Sequence, residues 1–272
     1  MHIAQYTKAR TLAEAWELHQ KKGSVVLGGC CWLRLSPQRI IRQAVDISAL
    51  PLYDIEERKT EFRIGAMVSL RDLELCPSFA AYTQGASKEA LRHIVGVQFR
   101  NCATVGGSIW GRFGFSDVLT MFLALDTEVE LFKGGRVCLW DFVKMPKDRD
   151  ILVHIIVKKT PIKTAYLSQR NTKTDFPVLA CCVSMSEDGM KAVYGARPSK
   201  AFLLEDEENI LKDVQTLSEE EKKEAYEKFA DYAARKVPTS GNMRGSAKYR
   251  TLLVKVLTRR ALEAVGGMSD EN

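Results

Sequence analysis

Residues 100–117 are the part of the sequence whose residue types best suit ligand binding. The segment reads Arg-Asn-Cys-Ala-Thr-Val-Gly-Gly-Ser-Ile-Trp-Gly-Arg-Phe-Gly-Phe-Ser-Asp, with four glycines between Arg100 and Asp117. Because glycine has no Cβ, such a backbone can turn tightly and present its N–H groups to an anion. The same composition is typical of an ordinary irregular loop, so this segment alone leaves both interpretations open.

A second glycine-rich segment favours ligand binding. Gly28-Gly-Cys-Cys-Trp-Leu33 follows a short apolar stretch and lies about 75 residues before Ala103-Thr-Val-Gly-Gly-Ser108. A diphosphate needs several N–H donors around it, and two converging loops of small residues can supply them. Neither segment has the GxGxxG or the GxxxxGK[ST] pattern, which disfavours the classical dinucleotide-binding and P-loop folds.

Composition excludes several classes of function. The 272 residues suffice for two domains of ordinary size or one large domain. No apolar run approaches the roughly 20 residues of a membrane-spanning helix, and the N-terminus lacks the apolar segment of a signal peptide. We therefore expect a cytoplasmic protein with no membrane span. The net charge of +6 comes without a nucleic-acid-binding motif, so we predict no nucleic-acid partner, and an anionic cofactor or an acidic partner subunit fits the charge.

The cysteines favour a reducing compartment. There are seven of them and no CxxC pair, which fits reduced thiols and not a disulfide framework. Zinc and iron–sulfur sites usually show a local ligand spacing that is absent here, so we predict no metal site in this chain. His93 and His154 stand apart from other candidate ligands and are interpreted as structural.

Helices and strands must position the two glycine-rich segments. Thr11 and Glu14 form a capping-box pattern, which predicts a helix that ends at Gly23. The other elements predicted in the first half are a buried strand at Ser24–Leu27, strands at 46–48 and 62–66, a helix at 87–95 and a buried helix at 118–125.

The second half predicts two hairpins and two helices. Lys133-Gly-Gly135 and residues 186–189 are turn signals, and Ser218 with Glu221 forms a capping box. The last helix, 246–265, is expected to bury Tyr249, Leu253, Val256 and Leu257. The predicted elements are hairpins at 128–132 with 136–140 and at 178–185 with 191–194, a strand at 151–157, and helices at 218–236 and 246–265. Because strands and helices mix without a regular βαβ alternation, the fold class is predicted to be α+β.

Several segments in chain order resemble one known family. They are Val26-Leu-Gly-Gly29, Val45-Asp-Ile47, Phe62-Arg-Ile-Gly-Ala66, Arg100-Asn-Cys-Ala-Thr-Val-Gly-Gly107, Ser116-Asp117, Leu123-Ala-Leu-Asp126, Ile151-Leu152 and Arg244-Gly-Ser-Ala-Lys-Tyr-Arg250. With these segments the chain resembles the FAD-binding (medium) subunit of molybdenum hydroxylases, which include xanthine dehydrogenase, carbon monoxide dehydrogenase and 4-hydroxybenzoyl-CoA reductase.

The resemblance implies an architecture and a function. A two-part FAD-binding domain would comprise residues 1–158, and a smaller C-terminal α+β domain of sheet plus helices would comprise residues 159–272. The protein would be an oxidoreductase subunit, active only with partner subunits. FAD would receive electrons from a [2Fe-2S] iron–sulfur subunit and pass them to NAD or another acceptor, while a molybdenum-cofactor subunit carries out substrate chemistry. No catalytic residue is predicted in this chain.

The resemblance also implies the cofactor-binding residues. Two loops would hold the pyrophosphate and ribityl chain, Ser116 and Asp117 would bond a cofactor hydroxyl or amide, Ile151 would lie near the adenine, and Tyr166 near the isoalloxazine. The loop residues are Ser24, Val25, Val26, Leu27, Gly28, Gly29, Cys30, Cys31 and Trp32 in the first, and Ala103, Thr104, Val105, Gly106, Gly107 and Ser108 in the second.

Two departures from the family pattern motivate an alternative. Cys30 and Cys31 stand where the family has Thr followed by Asp, Asn or Thr, and a thiol is a weaker hydrogen-bonding group than a hydroxyl. Leu167 stands where several relatives have a basic residue, and Arg170 or Lys173 is the candidate to replace it. The alternative is a structural or assembly subunit of the same complex that has lost tight flavin binding.

Some residues keep two interpretations. Trp32 either stacks on the cofactor or fills the core, and Asp117 is expected both to cap the helix that follows and to bind the ligand. Arg112 and Phe113 face the flavin edge, a partner or solvent. Tyr249 and Arg250 are expected to pack the last helix against the first domain.

Overall fold

Helices and strands are mixed along the chain, as predicted for an α+β protein. The computed structural model describes residues 2–35, 40–187 and 189–267, and these residues divide into two units. The first unit contains the described residues up to Leu73, Gly96–Gly111 and Asp126–Lys159. The second contains Glu74–Val95, Arg112–Leu125 and the described residues from Thr160 onward. The domain boundary at residue 158 stays a prediction, and the second unit also takes up two segments that precede it in the chain.

The strands of the first unit form three sheets among its described residues. Two of the sheets are parallel and the largest is antiparallel. In spatial order they are β1 (His2–Ile3) with β4 (Ile40–Ile41); β2 (Tyr6–Lys8), β5 (Gln43–Asp46) and β3 (Ser24–Leu27); and β6 (Ile55–Glu57), β7 (Glu61–Gly65), β10 (Leu152–Lys158), β8 (Thr127–Leu131) and β9 (Gly135–Cys138). The helices are α1 (Leu12–His19), α2 (Leu70–Leu75, ending in the second unit), α5 (Val97–Cys102), α6 (Val105–Gly111) and α8 (Leu139–Lys144), with a 3₁₀ turn at Leu33–Leu35.

The second unit is built on one antiparallel sheet. Its strands, in spatial order, are β11 (Ile162–Arg170), β12 (Pro177–Ser186), β13 (Gly189–Gly195) and β14 (Phe202–Leu204). Its helices are α3 (Pro77–Tyr82), α4 (Ala86–Arg92), α7 (Asp117–Ala124), α9 (Glu219–Lys236) and α10 (Ala247–Gly266), with a 3₁₀ turn at Val214–Thr216. Strand β12 is buried on both faces, because Leu179, Cys181 and Val183 pack in a core with α9 and α10 while Ser184 Oγ donates to the Ala124 carbonyl of α7 at 2.5 Å.

Local signals in the sequence place most of the predicted elements correctly. Thr11 accepts a hydrogen bond from Glu14 N, and Ser218 forms a complete capping box with Glu221. Both predicted hairpins pair in antiparallel register, although Asp188 in the second turn lies outside the described residues. Phe62, Ile64 and Ala66 are buried as the alternation predicts, whereas Ser24–Leu27 is only half-buried and the strand predicted at 46–48 ends at Asp46.

The glycine-rich segment 100–117 is not one irregular loop, and that interpretation is wrong. Arg100 and Asn101 lie in α5, and Gly106 and Gly107 lie in the first turns of α6. A Cβ at Gly106 would come within 2.6 Å of the Ala66 carbonyl oxygen. The glycine therefore permits helix α6 to pack directly against the end of β7.

Arg250 organises the second unit from inside. Its side chain is fully buried; Nε donates to the Val178 carbonyl at 2.8 Å and Nη1 to the Ser240 and Gly245 carbonyls at 2.9 and 2.5 Å. Nη2 donates to Asn242 Oδ1 at 2.7 Å. The expectation that Arg250 braces the first domain is wrong, because all these partners belong to the second unit.

Tyr249 is also placed differently from the prediction, since it is 39% exposed. Leu253 and Leu257 are buried as predicted, and Val256 is half-buried. The buried stripe of α10 runs instead through Arg250, Leu253 or Val254, Leu257, Ala261 and Val265. The buried guanidinium of Arg250 at the start of α10 fixes which face of the helix is buried.

We expect Arg250→Met to lower the free energy of unfolding by about 3 to 5 kcal/mol, because it leaves several buried oxygens without a donor. Urea unfolding followed by circular dichroism measures this loss. Arg260→Met, on the exposed side of the same helix, should change the free energy by less than about 0.5 kcal/mol. Equal losses in the two variants would contradict the role given to Arg250.

Candidate functional site

The two glycine-rich segments meet within the first unit. A Cβ at Gly29 would overlap the carbonyl of Cys102 and the Cα of Ala103, and a Cβ at Gly28 would lie 3.2 Å from Thr104 Oγ1. Only a residue without a side chain allows this approach at Gly29. The sequence-predicted residues 28–31 and 103–104 are therefore brought together.

The first loop carries unused backbone donors. In the described part of the chain, the N–H groups of Gly29, Cys30 and Cys31 have no hydrogen-bond partner. Cys30 has a φ of 59°, in the left-handed region that also occurs in anion-binding nests of backbone N–H groups. Donors without a protein partner suit a ligand with several acceptor oxygens.

The second loop uses most of its donors internally. Val105 N–H and Gly106 N–H donate to the carbonyls of Val68 and Ala66 at 2.9 and 3.0 Å. Gly107 N–H donates to Thr104 Oγ1 at 3.1 Å. Among the described residues Thr104 N–H has no partner, so this loop adds one free donor beside the first loop. The glycines of the second loop thus serve mainly close packing.

The two cysteines of the first loop are neutral thiols. Cys30 Sγ lies 3.2 Å from the Gly28 carbonyl and Cys31 Sγ 3.4 Å from the Gly29 carbonyl, so each thiol bonds back to its own loop. Burial raises the pKa of both thiols. Neither cysteine therefore brings negative charge to the loop at neutral pH.

The other residues predicted for the first unit's part of the site lie in strand β3, in the core or at the surface. Ser24 Oγ donates to the His19 carbonyl at 2.5 Å, and Val25, Val26 and Leu27 form the half-buried strand β3. Trp32 is 39% exposed, so it does not fill the core. Ile151 is buried in the hydrophobic core of the first unit with Val45, Met67 and Val153, and Ser108 Oγ donates to the Thr104 carbonyl at 3.0 Å.

The second unit brings Asp117, Tyr166 and Arg170 together. Asp117 Oδ1 accepts a hydrogen bond from the Tyr166 hydroxyl and an ion-paired one from Arg170 Nη2 at 2.6 Å. Burial raises the pKa of the Asp117 carboxyl, and the Arg170 guanidinium and Tyr166 hydroxyl act against that rise. Burial and the nearby carboxylate raise the pKa of Tyr166 well above its ordinary value, so Tyr166 is a protonated donor.

Ser116, and not Asp117, is the N-cap of α7. Leu119 N–H donates to Ser116 Oγ at 3.1 Å, and Asp117 is the first residue of the helix. The expectation that Asp117 caps the helix is wrong. Its carboxylate does not cap the helix and instead accepts hydrogen bonds from Arg170 and Tyr166.

Of the two basic residues considered in place of Leu167, Arg170 is the one that pairs with Asp117. Tyr166 and Arg170 lie four residues apart on β11, so both side chains project from the same face of the strand. Lys173 lies beyond the end of β11 and is exposed. Once β11 is known, the even separation in sequence between Tyr166 and Arg170 predicts that the two side chains share a face of the strand.

The two histidines interpreted as structural lie in ion-pair clusters. His154 Nδ1 lies 2.6 Å from Glu130 Oε2, which also accepts from Arg63 Nη2 at 2.9 Å. His93 lies 3.6 Å from Glu89. Burial lowers the pKa of both histidines. Within the described ranges, no helix is long and apolar enough to cross a membrane, and no three His, Cys, Asp or Glu side chains are grouped to hold a metal ion.

Solved structures share the fold of this chain. A chain of carbon monoxide dehydrogenase from Hydrogenophaga pseudoflava matches with a TM-score of 0.82 at 22% identity, and 97% of each chain is covered. A chain of quinoline 2-oxidoreductase from Pseudomonas putida 86 matches with a TM-score of 0.84 at 17% identity over 98% of each chain.

Curated relatives match by sequence. The chain is 29% identical over 210 residues to the uncharacterised protein YgfM of Escherichia coli strain K12, which covers 76% of this chain and 79% of that protein. It is 24% identical over 280 residues to the glyceraldehyde dehydrogenase medium chain of Sulfolobus acidocaldarius, covering 96% and 97%. Residues 2–160 match the family described as the FAD binding domain in molybdopterin dehydrogenase. The chain therefore belongs to this family and is an FAD-binding subunit of the molybdenum hydroxylase type that its sequence resembles.

Proposed function

We propose that this chain is the electron-transfer flavoprotein subunit of a molybdenum-containing oxidoreductase. FAD is the cofactor of its family, and its relatives include a medium chain of glyceraldehyde dehydrogenase and chains from carbon monoxide dehydrogenase and quinoline 2-oxidoreductase. Those names refer to three different substrates, so the substrate of the present complex is set by another chain. In this proposal a [2Fe-2S] subunit supplies electrons, a molybdenum-cofactor subunit acts on the substrate, and NAD or another acceptor receives the electrons.

The observation that carries the proposal is the set of free N–H groups where the two loops meet. A diphosphate has several anionic oxygens, and N–H donors from Gly29, Cys30, Cys31 and Thr104 match it in number and charge. The neutral thiols of the first loop do not repel it. The residues present therefore fit the pyrophosphate of FAD, and the cysteines need not weaken that contact because the donors are backbone groups.

The remaining predicted residues complete the proposal. Ser24–Leu27 and Trp32 flank Gly28–Cys31, Val105–Ser108 follow Thr104, and the buried Ile151 is the residue proposed to lie near the adenine. Asp117, with Ser116 before it, accepts a hydrogen bond from the flavin or ribityl group, and Arg170 holds its carboxylate in the charged, accepting form. Tyr166 positions that carboxylate.

FAD, when bound, supplies the redox chemistry, because it exchanges electrons with one-electron and two-electron partners. The protein's residues bind and orient it. No general acid, general base or nucleophile of this chain is required. The function of the subunit then depends on how tightly the flavin is held and on where partner chains dock.

We expect the purified full-length chain to bind FAD at about one per chain, seen as flavin absorbance after gel filtration and by calorimetry. Gly29→Ala should weaken binding at least about tenfold, because a Cβ there overlaps Cys102 and separates the two loops. Gly241→Ala is the matched control, since its Cβ would meet nothing closer than 3.6 Å. A wild-type protein that stays colourless with excess FAD would instead support the structural or assembly role.

Cys30 offers a direct test of charge at the first loop. Cys30→Asp should weaken FAD binding at least about tenfold, because a carboxylate would stand beside the N–H groups proposed to hold the diphosphate. Cys30→Ser should keep the affinity within about threefold, since the N–H donors are unchanged. Calorimetric titration with FAD distinguishes these outcomes, and an unaffected Cys30→Asp variant would place the diphosphate elsewhere.

A further inference from the structure

Three loops of the second unit form one surface that the FAD site does not use. We call it the Met243 surface and define it as residues 171–174, 197–200, 240–243 and Lys248. Its most conspicuous residue is Met243, which is 93% exposed. A methionine this exposed is unusual in a folded domain, and methionine is enriched at interfaces between proteins.

Side-chain to backbone hydrogen bonds hold these loops together. Arg250 binds the loop before α10 at Ser240, Asn242 and Gly245. Arg197 Nη1 donates to the Pro238 carbonyl at 2.8 Å, and Asn171 Nδ2 donates to the Arg244 carbonyl at 3.2 Å. The exposed Met243 therefore sits on a fixed turn, closed by paired backbone bonds between Asn242 and Gly245. Such a turn loses little conformational freedom when a partner binds.

The surface is strongly basic. It contains four basic residues (Lys173, Arg197, Lys200 and Lys248) and no acidic residue. Asp175, which follows the first of its loops, is paired with Arg244 at 3.0 Å. Lys173, Lys200 and Lys248 have no ion-pair partner among the described residues. An acidic partner would therefore meet uncompensated positive charge.

The surface is backed by the residues proposed to face the flavin. Arg170, which pairs with Asp117, also donates to the Asp175 carbonyl at 2.6 Å. The ring of Phe115 lies 4.8 Å from that of Phe176, and the Arg244 guanidinium lies over Phe176 at 4.9 Å. On the other side, a Cβ at Gly114 would overlap the Ser199 carbonyl. The segment that carries Ser116 and Asp117 is thus packed directly beneath the surface.

We propose that the Met243 surface is the docking site for an acidic [2Fe-2S] domain, the electron donor of the complex. This rests on the proposed function, since the donor must come close to the flavin. A [2Fe-2S] cluster held by four cysteine thiolates is itself anionic, which matches the charge of the surface. Met243 supplies the apolar contact at the centre, and Lys173, Lys200 and Lys248 supply the charged rim.

The test measures binding of an acidic plant-type [2Fe-2S] ferredoxin to the full-length chain by calorimetry, with and without FAD. We expect binding that weakens steeply as salt is raised. Lys173→Glu combined with Lys248→Glu, and separately Met243→Asp, should each weaken it by about tenfold or more. Lys223→Glu is the control, because it reverses an exposed charge on α9, a helix that contributes no residue to the Met243 surface.

The outcomes separate the two proposals. Ferredoxin binding without FAD binding would contradict the proposed function and still support the docking surface. FAD binding with no salt-dependent ferredoxin binding, or equal effects in the Lys223→Glu control, would overturn the docking surface alone. Dimerisation of the chain that Met243→Asp abolishes, measured by sedimentation, would also overturn it, because the surface would then bind a second copy.

Discussion

Close backbone contact between Gly29 and the Cys102–Ala103 peptide is the constraint on which the proposed cofactor site depends. This contact brings two segments far apart in sequence next to each other, and a single Cβ at Gly29 would prevent it. The contact leaves N–H groups without partners in the described part of the chain. Donors of this kind are available to a ligand with several acceptor oxygens. The donors of the proposed site are thus backbone groups, which Cys30 and Cys31 carry as well as any other residue would.

A buried carboxylate imposes the second constraint. Asp117 is 5% exposed, and a buried charge is stable only with a paired and hydrogen-bonded partner. Arg170 and Tyr166 meet that need from one face of β11. Arg170 also donates to the carbonyl of Asp175, whose side chain pairs with Arg244 next to the Met243 surface. One chain of polar contacts therefore links the residues proposed for the flavin to the surface proposed for its electron donor.

Signals that act over a few residues were readable from the sequence, because the groups that interact are close in the chain. Thr11, Ser218 and the turn at Gly134–Gly135 place their helices and hairpin correctly. Strand β11 had no such signal, since its residues are buried to mixed degrees and its role depends on pairing with β12. Glycines suggested a loop at 106–107, yet they lie in a helix, because their purpose is close packing on Ala66 and not flexibility.

The amino-acid sequence alone identified the α+β class, the two glycine-rich segments and, through ordered motifs, the FAD-binding family. These three conclusions depend only on residue types and on their spacing, both of which are read directly from the sequence. It could not assign which loop holds the free donors, which basic residue pairs with Asp117, or which unit Arg250 braces. Each of those depends on atoms distant in the chain, and only packing decides which N–H groups are already bonded and which charges are buried together.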